Sequence, residues 1–369
     1  MADRVKDRSD MRLVEYSEIR FKYGLQVHKK VLFTVLCLAL AVVGVGVTLS
    51  VGKFDIGFLE SYIIIWNHLM GVEPTTLMGE TKDFIVWDLR LPRAIMALFV
   101  GAALAVGGVV MQGVMRNPLA DPYTLGVSSA ASLGATLCIV LGFSLVPGLT
   151  KSAGTMVNAF IFSMIPIVAI TLITRFKKTT PTMMILSGIA IMYVFSATTQ
   201  LIMLYADPDN LADAYSWSVG TLGKSSWENL PVVIAVTVVG MALVSMMGKQ
   251  LNILSAGDKI STTLGVDTGR CRVLLMLLVS ITTATVVSFT GTIGFVGLVA
   301  PHVVRFFIGS DNRYVIPASA CLGALLLVLA DCVAKEAGAT GLPVGVITAL
   351  IGGPLFIALL IRQRRKVWN

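Results

Sequence analysis

The chain has 369 residues, of which 56% are hydrophobic and 14% charged, with a mean hydropathy of +0.83. Soluble domains carry about 25% charged residues, and a soluble bundle could not cover this much apolar surface, so a water-soluble fold is excluded. The net charge of +8 is therefore read as orientation across a bilayer, not as a nucleic-acid footprint.

Residues 1–30 are polar and carry eight Lys/Arg. A cleavable signal would pair a short basic start with a 7–15-residue apolar core, so this segment reads as a cytoplasmic tail ahead of a retained first span. A membrane helix needs about 20 apolar residues, and long charge-free windows follow one another along the chain. They predict spans near 31–51, 92–114, 123–142, 152–174, 182–205, 229–248, 272–290, 295–309, 314–333 and 344–361. Charge decides the count. The window 273–304 is 32 residues long and contains Gly291-Thr-Ile-Gly-Phe-Val-Gly297 and Pro301. If it crosses twice, 22 of the 29 Lys/Arg fall on the side of the N-terminus and 7 on the other. The positive-inside rule then favours ten spans with both termini cytoplasmic. A non-helical link is expected near Gly291–Gly294, buried in protein or lining a cavity. Small-residue spacings such as Gly101/Ala105 and Gly341/Gly345 allow close helix packing.

Several local patterns stand out. Trp87-Asp-Leu-Arg-Leu-Pro-Arg93 and Arg116-Asn-Pro-Leu-Ala-Asp-Pro122 flank the 22-residue charge-free run Ala94–Met115. One span thus carries a basic cluster at one face and a proline-rich turn at the other. Between the sixth and seventh spans, residues 249–272 form the longest inside loop. There Gly257 to Leu264 can make a short helix that Gly265 breaks, and Asp267 can start the next. Gly223-Lys224-Ser225 resembles the end of a phosphate loop, but Ser218 stands where the first glycine is required. The five cysteines form no CxxC, and His28, His68 and His302 are far apart, so no metal site is expected. The spans lack a midplane carboxylate of the kind ion-coupled carriers use, and no HExxH or nucleophile triad appears.

Together, Asp88-Leu-Arg-Leu-Pro-Arg93, Gly101-Ala-Ala-Leu-Ala105, Asn117-Pro-Leu-Ala-Asp-Pro122, Leu125-Gly-Val-Ser-Ser129, Gly294-Phe-Val-Gly-Leu-Val-Ala-Pro-His302 and Leu342-Pro-Val-Gly-Val-Ile-Thr-Ala349 resemble the permease subunits of ABC importers for iron–siderophore complexes, haem and vitamin B12. The resemblance covers about residues 30–362 and implies a type II importer permease of the FecCD type. The implied fold is an all-α membrane protein of about ten helices per subunit, working as a homodimer in the inner membrane of a bacterium or archaeon. Its organisation would be a tail at 1–30, a permease domain at 31–362 and a short tail at 363–369.

The resemblance also implies partners and roles. Two ATP-binding cassette subunits would sit on the cytoplasmic face and hold the ATP–Mg, so this chain is not an enzyme and binds no cofactor. A substrate-binding protein would dock outside, on Arg90, Arg93 and Lys335. The cytoplasmic gate of the path would involve Asn117, Leu119, Thr180 and Thr182, although Pro181 departs from the family's Ser/Thr cluster. The ATPase would engage the coupling segment through Ser255, Gly257, Asp258, Leu264, Gly265 and Arg270. The expected cargo is an iron chelate, with cobalamin or an oxyanion such as molybdate as alternatives on the same machinery. An ion-coupled secondary transporter is the competing class.

Overall fold

The computed structural model describes residues 2–176, 180–338 and 341–367, and side chains at 24, 26–173, 180–338, 341–358 and 361. Among the described residues it is all helical. The elements in chain order are α1 (Ala2–Ser50), α2 (Phe58–Leu69), α3 (Leu77–Phe84), a π-turn (Ile85–Arg90), α4 (Leu91–Met115), a 3-10 turn (Pro122–Leu125), α5 (Val127–Leu141), α6 (Lys151–Phe176) and α7 (Pro181–Leu204). They continue with α8 (Pro208–Val219), α9 (Leu230–Met246), α10 (Gly248–Ser255), α11 (Asp258–Thr263), α12 (Thr268–Thr290), α13 (Val296–Ile308), α14 (Asn312–Glu336) and α15 (Val344–Val367).

Among the described residues, six helices are long and apolar enough to cross a membrane, and α9 with α10, bent by 58° between them, passes the same test only as a pair. Three shorter apolar helices lie at Val127–Leu141, Val296–Ile308 and Val344–Ala358. Each falls on one of the spans expected from the charge-free windows. In the segment expected as a tail at 1–30, the backbone from Ala2 is helical and continues into the first span.

The core is organised around α4, whose 25 residues rise about 37 Å at 1.5 Å per residue. It packs against α9, α12, α13 and α14 and is buried along nearly its whole length. In lipid, helices associate by close van der Waals fit, which small residues permit. A Cβ at Gly101 would overlap the Gly323 carbonyl of α14, and one at Gly108 would overlap the Gly297 carbonyl of α13. Ala105 also faces Gly323, so the Gly101/Ala105 spacing read from the sequence is a helix contact.

The break expected inside window 273–304 is present. α12 ends at Gly291 with φ 70°, and α13 starts at Phe295 with φ 68°. Backbone freed from a helix inside a membrane must find other partners. Here the Tyr123 hydroxyl accepts from the Ile293 N–H at 3.2 Å, and Thr290 O accepts from the Thr221 N–H at 2.7 Å. The Thr292 hydroxyl donates to Ser218 O. These bonds fasten the break to α5's entry turn and to α8.

Candidate functional sites at the two ends of the central helix

At the first end, helix runs without interruption from Leu77 to Met115, but residues 85–90 form a π-turn. One residue too many is fitted into that turn, with the Leu91 N–H donating back to Val86 O. Such bulges are frequent at functional positions. The extra residue turns Arg90 inward. Its guanidinium donates to Leu49 O at 2.6 Å, Ser50 O at 3.0 Å and Phe54 O at 2.6 Å. Those carbonyls include the last turn of α1, which has no internal donors left. Arg90 is 6% exposed. Arg90, expected among the docking residues, is a buried strut that joins α1 to α4.

Arg93, less than a turn later, reaches α14. Its Nε and one terminal nitrogen both lie 2.8 Å from Asp331 Oδ1. Lys335 sits one turn along α14, with Nζ 3.2 Å from Asp331 Oδ2. It also donates to the Thr48 hydroxyl at 2.9 Å and the Thr48 carbonyl at 3.1 Å. Asp331 is fully buried, Lys335 is buried and Arg93 is partly open. Lys335, too, is thus not on an exposed rim. Beside this network lies a cavity of about 620 Å³ lined by Lys53, Arg90, Arg93 and Lys335 with Ser216 and Thr221. Among the described residues that line it there are four cations and no carboxylate, although Asp331 lies directly behind Arg93 and Lys335.

At the second end, α4 stops at Arg116, a non-glycine residue in the left-handed region at φ 50°, ψ 38°. Its backbone N–H and that of Asn117 both donate to Gln112 O. The Asn117 side-chain oxygen accepts from the Leu119 N–H at 2.9 Å, an Asx turn that leaves Leu119 exposed. Asp121 caps the 3-10 turn by accepting from the Thr124 N–H at 2.9 Å. Burial pushes its carboxyl up to about 6, against the pull of hydrogen bonds from Thr124 and Tyr123. Gly188 brings α7 into contact with the Thr124–Leu125 backbone. Thr180 caps α7 by accepting from the Met183 N–H, Pro181 takes the first helical position, and Thr182 is exposed. Proline is pre-organised for that position, so the departure at Pro181 leaves an ordinary helix start.

The loop 249–272 holds α10, α11 and the start of α12, which Asp267 caps. α11 lies between Gly257 (φ 113°) and Gly265 (φ 77°), as the glycine punctuation predicts, while α10 was not expected as a separate helix. The buried Ser261 hydroxyl lies 2.8 Å from both the Ile253 and Gly257 carbonyls and holds the pair together. Outward, Ile260, Leu264 and Arg270 are exposed. Inward, Leu251 and the Ser255 hydroxyl pack against Gly113 of α4.

The charged joint is Asp258. Its Oδ1 lies 3.0 Å from an Arg272 guanidinium nitrogen at the start of α12 and 3.4 Å from one of Arg116. One carboxylate therefore links the short helices to the residue that begins the Asn117–Pro118 turn. Neither Arg116 nor Arg272 stood out in the sequence as a site residue, because their meeting point is set only by the fold. Among the described residues no group of three or more His, Cys, Asp or Glu comes together as a metal site.

Known proteins resemble this arrangement over most of its length. A model of the FecCD transport family matches residues 33–362. The haemin transport permease HmuU of Yersinia pestis is 38% identical over 322 residues, covering 87% of this chain and 94% of that protein. The cobalamin import permease BtuC of Halobacterium salinarum is 41% identical over 283 residues, 76% of this chain and 74% of its own. The molybdate import permease MolB of Haemophilus influenzae is 32% identical over 93% of this chain and 98% of its own. A solved inward-facing metal-chelate type ABC transporter superposes with a TM-score of 0.77 at 29% identity, covering 89% of this chain and 98% of that one.

Proposed function

The chain belongs to the FecCD transport family, and we propose that two copies of it form the membrane path for a metal chelate, most specifically iron held by a siderophore or in haem. As an ABC importer permease it is a multi-pass membrane protein of a prokaryote, and ATP hydrolysis is done by separate ATPase subunits. The ATP–Mg belongs on those subunits, and this chain binds no cofactor of its own. A substrate-binding protein delivers the cargo at the Arg93 end, which faces out, while both termini and α10–α11 face the cytoplasm.

The observation that carries this reading is the Asp258 joint. The exposed side chains of Ile260 on α11, Leu264 at its end and Arg270 at the start of α12 offer a surface for an ATPase to push, together with Ser255, Gly257 and Gly265, which shape it. Asp258 passes that push to Arg116 and so to Asn117 and Leu119, with Thr180 and Thr182 at the start of α7 as the other wall of the gate. At the opposite end, Arg93 presents the accessible charge for docking. Arg90 and Lys335 hold the platform behind it. Charges on such a rim set register and encounter rate more than affinity.

The homodimer is supported by α7, whose apolar window is only 11% buried within one copy. Tyr193 and Gln200, seven residues apart and so on one face of the helix, both stand exposed, and polar groups on one face of a span suit a wet path between two copies. The iron-chelate reading is supported by the haemin permease relative and the metal-chelate neighbour. The cobalamin permease is a relative of similar standing, and it too is named for a metal chelate.

The test is uptake into proteoliposomes holding this chain, its ATPase and its binding protein. Labelled ferric siderophore, haem, cobalamin and molybdate are compared with and without ATP. ATP-dependent uptake of ferric siderophore or haem supports the proposal. Cobalamin or molybdate uptake moves the cargo while keeping the machinery. Uptake driven by an ion gradient alone overturns the ATP-coupled reading.

A further inference from the structure

α2 is built inside out for a helix in water. Every fully exposed position on it is apolar: Phe58, Leu59, Tyr62, Ile63, Trp66 and Leu69. Leu59, Ile63, Trp66 and Leu69, spaced as one helical stripe, are 58–74% exposed. Glu60 and His68 face the other way, onto α3 and the π-turn. Glu60 pairs with Lys82 at 2.5 Å, and that partner holds its carboxyl below the usual range. His68 Nδ1 lies 2.8 Å from Asp83, and its ring stacks on Trp87 at 4.0 Å. Trp87 in turn contacts Trp227, whose indole N–H donates to Trp87 O at 3.0 Å. The helix is thus pinned in one orientation with its apolar stripe outward.

We propose that this stripe lies in the bilayer surface, so that α2 is an in-plane anchor at the boundary of headgroups and acyl chains, at the Ser50 end of α1. Three observations choose lipid as the occupant. α1, a span of a multi-pass membrane protein, ends at Ser50, and α2 begins at Phe58, so the helix starts within a short link of the bilayer surface. Tyr62 packs against Gly46 of α1, on a turn whose neighbours Val43 and Val47 point outward, so the stripe continues α1's lipid-facing side. The stripe also has the composition of an interfacial helix, apolar with Tyr and Trp and without charge. The anchor would fix the π-turn, and with it Arg90 and Arg93, at a set height above the membrane. The proposal rests on membrane residence alone and stands whichever cargo is carried.

The test uses tryptophan emission of the full chain in lipid nanodiscs. The Trp66 signal is obtained as the difference between wild type and Trp66→Phe. Bromines are placed on the acyl chains either near the headgroup or near the chain end, and iodide is added to the water. The expected result is loss of most of the Trp66 signal with the shallow bromines, less with the deep ones, and little with iodide. Leu59→Trp in the Trp66→Phe background should restore shallow quenching. Quenching by iodide and not by bromolipid would show a solvated helix and overturn the proposal. Protection from both would show a second copy or another protein on the stripe, and would also overturn it.

Discussion

Each end of α4 gathers two cations around one carboxylate, but burial separates the two arrangements. Asp331 is sealed from solvent between Arg93 and Lys335, and all three belong to long helices packed along their length. Asp258 keeps 44% of its side chain exposed, and it sits on a six-residue helix between two glycines. Low dielectric makes the first cluster expensive to disturb, whereas water screens the second. The same chemistry therefore makes a fixed frame at one end and a yielding joint at the other. An importer that docks a partner outside and is driven from inside has use for both.

The contrast breaks most visibly at Asp331. Asp331→Ala leaves Arg93 and Lys335 facing each other without a counter-charge, and removing one partner of a buried pair costs about 3–5 kcal/mol. The expected outcome is a large fall in thermal midpoint in detergent and loss of monodisperse protein. A near wild-type melting curve would show that the cluster is not a frame.

The sequence made the spans legible because bilayer crossing demands charge-free length, and charges here are clumped. It also placed α11 to within a residue, since Gly257 and Gly265 are both left-handed positions at its boundaries. What it hid was orientation. The expected span begins near residue 92, and nothing local in residues 85–90 signals a π-turn continuous with α4. The π-turn aims Arg90 inward, and the carbonyls of Leu49, Ser50 and Phe54 that receive it come from elsewhere in the chain. The Asp258 partners were hidden for a similar reason: Arg116 lies far away in sequence, and neither arginine has a local pattern that points to a carboxylate. The bend between α9 and α10 is likewise a packing result, with Leu251 held against Gly113.

Two changes along α4 and at the turn that follows it sharpen the comparison at intermediate size. Asp121 is buried, and its carboxyl is raised to about 6 from an unfolded value of 3.8. A raised carboxyl stabilises the fold fully below the unfolded value, and that stability is lost as pH rises through about 6. Asp121→Asn keeps an acceptor for the Thr124 N–H and removes the ionisation. It should raise the thermal midpoint at pH 7.5, with an upper limit of about 3 kcal/mol for a two-unit shift. It should also flatten the midpoint against pH between about 4 and 6. Unchanged pH dependence would show that Asp121 is not the group responsible. Gly108→Ala forces a methyl onto the Gly297 carbonyl, and overpacking of this kind costs about 1–3 kcal/mol. A stability loss should appear there, while Gly142→Ala, at a helix end with open space around it, tests left-handed strain alone.

The smallest effect on stability should accompany the largest on coupling. Asp258→Asn removes two ion pairs that are partly exposed, so it should change folding by about 1 kcal/mol or less. If the joint carries motion from the short helices to the Asn117 turn, the variant assembled with its ATPase should still hydrolyse ATP. Its transport per ATP should fall severalfold. Arg116→Ala should reproduce the uncoupling, and the double variant should be no worse than either alone, because both remove the same link. Additive losses would mean that Asp258 and Arg116 act separately. Undiminished transport would mean that the push reaches the gate through the apolar contact of Leu251 with Gly113 instead. Gly113→Ala would then become the uncoupling change, since a Cβ there meets Leu251 at 2.7 Å.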